Sequence, residues 1–179
     1  MKAIIPSCIL LTGVLVLSGC ETTPKTPAPT STTSADGRVK VTFDNPADFT
    51  DLKSSSMDDF DEGYMEELRE YVERTAVQML AAGENLEITF TDFDMAGEYE
   101  PWRMQASDVR MVKSIYIPRA KFRWAVKDAS GKTLREGTEN IEDMSYRVNI
   151  GNITQDELFY EKEMLQNWMR LNLRAKQPS

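Results

Sequence analysis

Residues 60–90 read FDEGYMEELREYVERTAVQMLAAGENLEITF, and the hydrophobic period of this stretch changes once, near Gly83. Before the change, Tyr64, Leu68, Tyr71, Val72, Thr75, Ala76, Met79 and Leu80 recur every three or four residues, the spacing of one buried helix face. Glu66, Glu67, Glu70, Glu73 and Arg74 fill the opposite face, with Glu70 and Arg74 one helical turn apart. The pattern predicts a helix over Phe60–Ala82, with Ser56 or Asp58 near its start and Gly83 as its stop. After the change, Leu86, Ile88 and Phe90 alternate with Glu87, Thr89 and Thr91, the period of a strand with one face buried. Phe93 falls out of phase, which predicts a bulge or the strand's end near Asp92.

Upstream, Val39, Val41 and Phe43 alternate with Lys40 and Thr42, and Asp44-Asn45-Pro46 ends that strand. A helix joining two strands favours a right-handed parallel crossover. Downstream, Ile115–Val126 carries a third strand with Pro118 at its start or at an edge. Asp128-Ala129-Ser130-Gly131 is a hairpin turn into a more polar fourth strand, Thr133–Ile141, suited to a sheet edge. Thr154-Gln155-Asp156-Glu157 resembles a capping box and opens a second amphipathic helix to about Leu173. Residues 143–151 carry no clear period. The expectation is a single α+β domain of β-α-β-β-β-α order over residues 38–176. Its sheet is mixed, mostly antiparallel and four-stranded, with both helices on one face.

Between the second and third strands lies a long stretch, Met95 to about Lys113, without a period. Loops of that length in a compact domain usually carry function or hide a short element. It holds Glu100-Pro101-Trp102-Arg103, and Tyr116-Ile117-Pro118-Arg119 follows it. Both join an aromatic and an arginine to a proline, and Trp, Tyr and Arg are enriched where proteins bind one another. Glu100, Trp102, Arg103, Tyr116 and Arg119 are therefore the candidate recognition surface. In the competing reading Trp102 pins the loop to the sheet, and Arg103, Arg110 or Arg119 pairs with acids between Asp92 and Glu100.

The first twenty residues are an address. Lys2, an apolar run from Ile4 to Leu17 and the tetrapeptide Leu17-Ser18-Gly19-Cys20 look like the signal and lipobox of bacterial lipoproteins. That resemblance implies cleavage before Cys20, a diacylglycerol on its sulfur and a membrane tether; Glu21, in place of Asp, favours the outer membrane. Residues 1–19 are then the signal peptide. Residues 20–37 are the lipidated cysteine and a Thr/Pro/Ser-rich spacer, expected to be disordered or extended.

Composition removes whole classes of chemistry. Of 179 residues, removal of the first 19 leaves 160 with Cys20 as the single cysteine and no histidine. Disulfides, cysteine–histidine and serine–histidine nucleophiles, and zinc sites built from Cys or His are excluded. Loss of Lys2 leaves 20 basic against 29 acidic residues, a balance unsuited to nucleic acid. No cofactor is expected. Asp92-x-Asp94 opens like a calcium loop but has Ala96 and Arg103 at the ligand positions five and twelve. Asp92, Asp94, Glu98 and Glu100 could instead supply the paired carboxylates of a hydrolase of an envelope polymer, if two of them shared a cleft. A small-ligand binder would need an apolar pocket of ~300 Å³ or more.

The segments VKVTFDNP (39–46), DFDMAGEYEPW (92–102), DVR (108–110), YIPR (116–119), GKTLREG (131–137) and YEK (160–162) resemble the domain-of-unknown-function 3016 family of proteobacterial envelope proteins. The resemblance covers Val39 to Leu173 and implies no particular activity. The expected function is that of a lipid-anchored periplasmic accessory protein, a binding module for another envelope protein.

Overall fold

The computed structural model of the chain describes residues 30–33, 36–55, 60–102, 107–148 and 156–174. Strands β1 (Thr30–Thr33), β2 (Val39–Phe43), β3 (Asn85–Asp94), β6 (Arg119–Lys127) and β7 (Thr133–Glu142) form one sheet in that spatial order. Helices α1 (Glu62–Val77) and α2 (Phe159–Asn172) cover one face, and a small hairpin, β4 (Glu98–Tyr99) with β5 (Arg110–Met111), lies between β3 and β6 in the chain. The four strands read from the sequence are present in β-α-β-β-β-α order. Strands β2 and β3 are parallel, and β3–β6 and β6–β7 antiparallel.

Register explains the core. Phe43 lies opposite Phe90 and Phe90 opposite Phe122, so three aromatic rings cross the sheet in a row, each 5.4 Å from the next. Trp168 of α2 meets Phe122 edge-on at 4.7 Å and Trp124 at 5.4 Å. Such tilted contacts add ~1 kcal/mol each beyond the area they bury. Met65, Leu68, Val72 and Ala76 close the core from α1. Phe93 stays buried because the pairing shifts between Phe90 and Asp92, the bulge that its phase predicts. Across β6, Gly137 makes room for Trp124: a Cβ there would lie 2.9 Å from the indole Nε1, which donates to Glu139 Oε1 at 3.0 Å. The hairpin turn sits at Asp128–Gly131 as expected, with Asp128 Oδ1 accepting from Ser130 N and Lys132 N.

Four local expectations need correction. The spacer is not extended coil throughout, since Thr30–Thr33 pairs antiparallel with β2. β-Branched threonine suits a strand, and the open edge of β2 offers it a ladder of backbone partners. Helix α1 stops at Val77, five residues early, and Gly83 lies instead in a left-handed turn just before β3. Its cap is Asp61, whose carboxylate accepts from Tyr64 N at 2.9 Å; Ser56 and Asp58 lie outside the described residues. Helix α2 begins at Phe159, where Asp156 accepts from Leu158 N; Thr154 is likewise outside the described residues.

Among the described residues, no helix covers the strands' outer face. Lys127–Glu87, Arg123–Asp44, Lys121–Asp92 and Arg119–Asp94 pair across it at 2.6–3.2 Å. Exposed pairs of this kind contribute little stability.

Candidate functional site

The excursion after β3, described over residues 95–102 and 107–118, forms a lobe at one end of the sheet. It leaves at Asp94 and returns at Arg119, which face each other across the β3–β6 ladder. Gly97, at φ +83°, turns the chain so that Glu98–Tyr99 pairs with Arg110–Met111. A Cβ on Gly97 would lie 3.0 Å from Arg110 Cγ and 3.2 Å from the Met111 carbonyl oxygen, so this close approach also requires glycine.

Arg110 holds the lobe to the body. Its guanidinium donates to both carboxylate oxygens of buried Asp51 at 2.6 and 3.1 Å, and to the carbonyls of Lys53 and Gly97 at 2.7 and 3.1 Å. It also stacks over the Tyr99 ring at 4.6 Å. The Tyr99 hydroxyl donates to the Ser54 carbonyl at 2.5 Å. Asp51 is itself fixed by backbone bonds, its N–H to Phe93 O and its carbonyl to Met95 N. A two-pronged guanidinium–carboxylate contact of this sort needs arginine rather than lysine.

Two buried glutamates secure the rest. Glu100 receives Lys113 Nζ and the Tyr116 hydroxyl, the latter at 3.0 Å. Glu161, on α2, accepts from Ala96 N at 2.7 Å, while its Oε2 is buried with no hydrogen-bond partner among the described residues. Burial raises the Glu161 carboxyl to about 7, against the smaller opposing effect of the Ala96 N–H. The Tyr146 hydroxyl, from the segment after β7, donates to the Lys113 carbonyl at 2.6 Å, so residues 143–148 are tied to the lobe.

On this fixed base stand exposed apolar side chains. Eight large apolar residues are exposed among the described residues, and six belong to the lobe or to the segment tied to it: Trp102, Val109, Val112, Ile115, Met144 and Val148. Trp102 is 69% exposed and Ile115 70%. Single exposed apolar side chains are ordinary on a protein surface; here six of the eight fall in these two segments.

The structure divides the five residues of the sequence-derived surface. Trp102 stands exposed on the lobe. Tyr116 is half-buried beneath it, and Glu100 is 1% exposed, so it supports the lobe from inside and cannot meet a partner directly. A glutamate becomes buried here because a lysine and a tyrosine hydroxyl meet it. Arg119 belongs to the charged outer face, bound to Asp94 at 3.1 Å and Glu142 at 3.4 Å. Arg103 and Cys20 lie outside the described residues. The competing reading pairs Arg103, Arg110 or Arg119 with an acid between Asp92 and Glu100. Arg119 does pair with Asp94, Arg110 pairs instead with Asp51, and the anchoring roles of Asp51 and Glu161 were not assigned from sequence. Glu161 did leave a signal, since it falls on the apolar stripe Leu158, Met164, Leu165, Trp168 of α2.

The acids weighed for a hydrolase do not form a free pair. Asp92 takes Lys121 Nζ at 2.7 Å and Thr50 N at 2.8 Å, Asp94 takes Arg119, Glu98 accepts from the adjacent Tyr99 N, and Glu100 is buried with Lys113. The depression beside Asp92 and Asp94 measures about 160 Å³, below the size of an ordinary ligand site. A larger one of about 450 Å³ on the outer face is open and lined by Glu87, Arg123 and Glu136.

The family model described as "Protein of unknown function (DUF3016)" matches residues 37–171. The chain belongs to that family. The match takes in β2, β3, β6 and β7 of the sheet but not β1, both helices except the last residue of α2, and the whole lobe. No curated protein and no solved structure matches the chain.

Proposed function

We propose that this DUF3016 protein is a lipid-anchored accessory module of the cell envelope that works by recognition rather than catalysis. Cys20 is its anchor, the periplasm its compartment, and the lobe around Trp102 its contact surface. The observation that carries this reading is that exposed apolar side chains stand beside a buried, hydrogen-bonded base. Six apolar side chains project from backbone held by the Arg110–Asp51 contact and by buried Glu100 and Glu161. A contact surface already ordered before binding loses little conformational entropy when it is covered. The outer membrane is the proposed site of anchorage, on the strength of Glu21 after the cysteine.

The test is photo-crosslinking in living cells. A crosslinking residue is placed at Trp102, Ile115 or Val148 of the full chain, and at Leu134 or Leu171 for comparison. The lobe positions should give discrete adducts with an envelope component, and Leu134 and Leu171 should give none. Absence of adducts from every lobe position would overturn the assignment of the lobe as the contact surface.

A further inference from the structure

We propose that the component covering the lobe is the lipid surface of the membrane that holds the anchor. The inference rests on the reading of Cys20 as the lipidated residue. The direction of β1 carries it. Thr30 lies opposite Phe43 and Thr33 opposite Lys40, so the chain joins the fold at the end of the sheet where β2 finishes. Strand β3 runs parallel to β2 and finishes at that same end, in Asp94 opposite Arg119. Glu142 lies opposite Arg119 on β7, which brings residues 143–148 there as well. The point where the tether meets the domain and the exposed apolar side chains therefore share one end of the molecule. The other two exposed apolar residues, Leu134 and Leu171, lie toward the opposite end: Leu134 adjoins Arg135, which pairs with Val126 and donates to the Leu173 carbonyl.

Tether length sharpens this geometry. Between Cys20 and Thr30 stand the nine residues 21–29. Fully extended they span ~30 Å at ~3.4 Å each, whereas a domain of this size, with a radius of gyration of ~14 Å, is ~36 Å across. The end bearing the lobe is thus the end nearest the acyl chains, and the tether is too short to favour the opposite orientation.

Charge agrees. The mature chain has nine more acids than bases, and anionic lipid would repel most of it. Within 95–118 and 143–148 the signs balance, with Glu98, Glu100, Asp108 and Asp143 against Arg103, Arg110, Lys113 and Arg147. The side chains offered are also those of an interface: one indole, whose ring prefers the headgroup level, and exposed Ile, Val and Met from the same end of the domain. Insertion adds a second hold to the acyl anchor and orients the domain, leaving its charged outer face free to the periplasm side.

The experiment uses the full lipidated chain in phosphatidylethanolamine–phosphatidylglycerol vesicles carrying brominated acyl chains. Trp124 and Trp168 are buried in the core, so Trp102 is the one tryptophan at the surface. Brominated lipid should quench a component of the fluorescence that disappears in Trp102→Phe, and aqueous iodide should quench that component at least threefold less than in detergent-free protein made without residues 1–20. Crosslinks from Ile115 in cells should be to lipid. Trp102 emission indifferent to bromine and open to iodide would overturn the proposal. So would crosslinks from Ile115 to a protein, although the recognition reading would survive that result. No adduct of either kind refutes both, and a mature chain without added acyl mass removes the anchor on which this inference stands.

Discussion

Replacement of Glu161 by glutamine tests the buried network most sharply, because it changes a pH dependence and not only a stability. The carboxyl has its pKa raised from 4.5 to about 7 by burial. The folded state therefore holds its proton more tightly than the unfolded chain does. Its contribution is fully present below pH 4.5 and is lost as pH rises through about 7. The shift of about 2.5 pH units corresponds to roughly 3 kcal/mol at 1.36 kcal/mol per unit. Glutamine keeps an oxygen for the Ala96 N–H and cannot ionise. The gap in unfolding free energy between Glu161→Gln and wild type should move in favour of the variant by roughly 3 kcal/mol between pH 4.5 and just above 7. Urea unfolding at several pH values reads this directly: with m of ~2 kcal/mol/M the midpoints should separate by a further ~1.5 M over that range. The absolute offset reflects how the amide NH₂ is accommodated and is not the test; the slope is. Parallel pH profiles for the two proteins would refute the argument that Glu161 is held protonated by burial.

Three other substitutions follow from the same contacts. Arg110→Ala strands the buried Asp51 carboxylate and should cost about 3–5 kcal/mol in chemical denaturation, with Arg110→Lys recovering only part, because an ammonium cannot meet both oxygens. Gly137→Ala should destabilise by ~1–3 kcal/mol, as its methyl group meets the Trp124 indole, and near-ultraviolet circular dichroism should report the displaced ring. Trp102→Ala should leave the unfolding free energy within ~0.5 kcal/mol of wild type while removing lobe contacts, since its ring is exposed.

The parts of this fold that are legible in sequence are those written as period. Val39, Val41 and Phe43 alternate, as do Leu86, Ile88 and Phe90, and the structure sets the two runs side by side. Phe93 announces its bulge by arriving one residue late. Strand β1 has no such signal: Thr-Ser-Thr-Thr offers no apolar alternation, and the hydrogen bonds that select it belong to the edge of β2. The lobe was legible as a long aperiodic stretch, but its anchor was not. Asp51 and Arg110 are 59 residues apart, and no local pattern pairs them. Trp102 and Glu100 stand two apart in one motif, yet one is exposed and the other buried, because Lys113 and Tyr116 reach only the second. Proline–aromatic–arginine spacing identifies a place in the chain, and the tertiary partners decide which side chains remain available there.

The absence of other cysteines gives the most direct measurement of whether the lobe is covered. On this account the signal with Cys8 is removed and Cys20 is acylated, so a cysteine introduced at Ile115 or at Leu171 would be the single free thiol. Both side chains are exposed in the isolated domain. In intact envelopes, a membrane-impermeant maleimide that reaches the periplasm should label Leu171→Cys readily and Ile115→Cys poorly, and detergent should make the two equally reactive. Equal labelling of both positions before detergent would contradict the central claim that the lobe is the surface by which this protein engages the envelope.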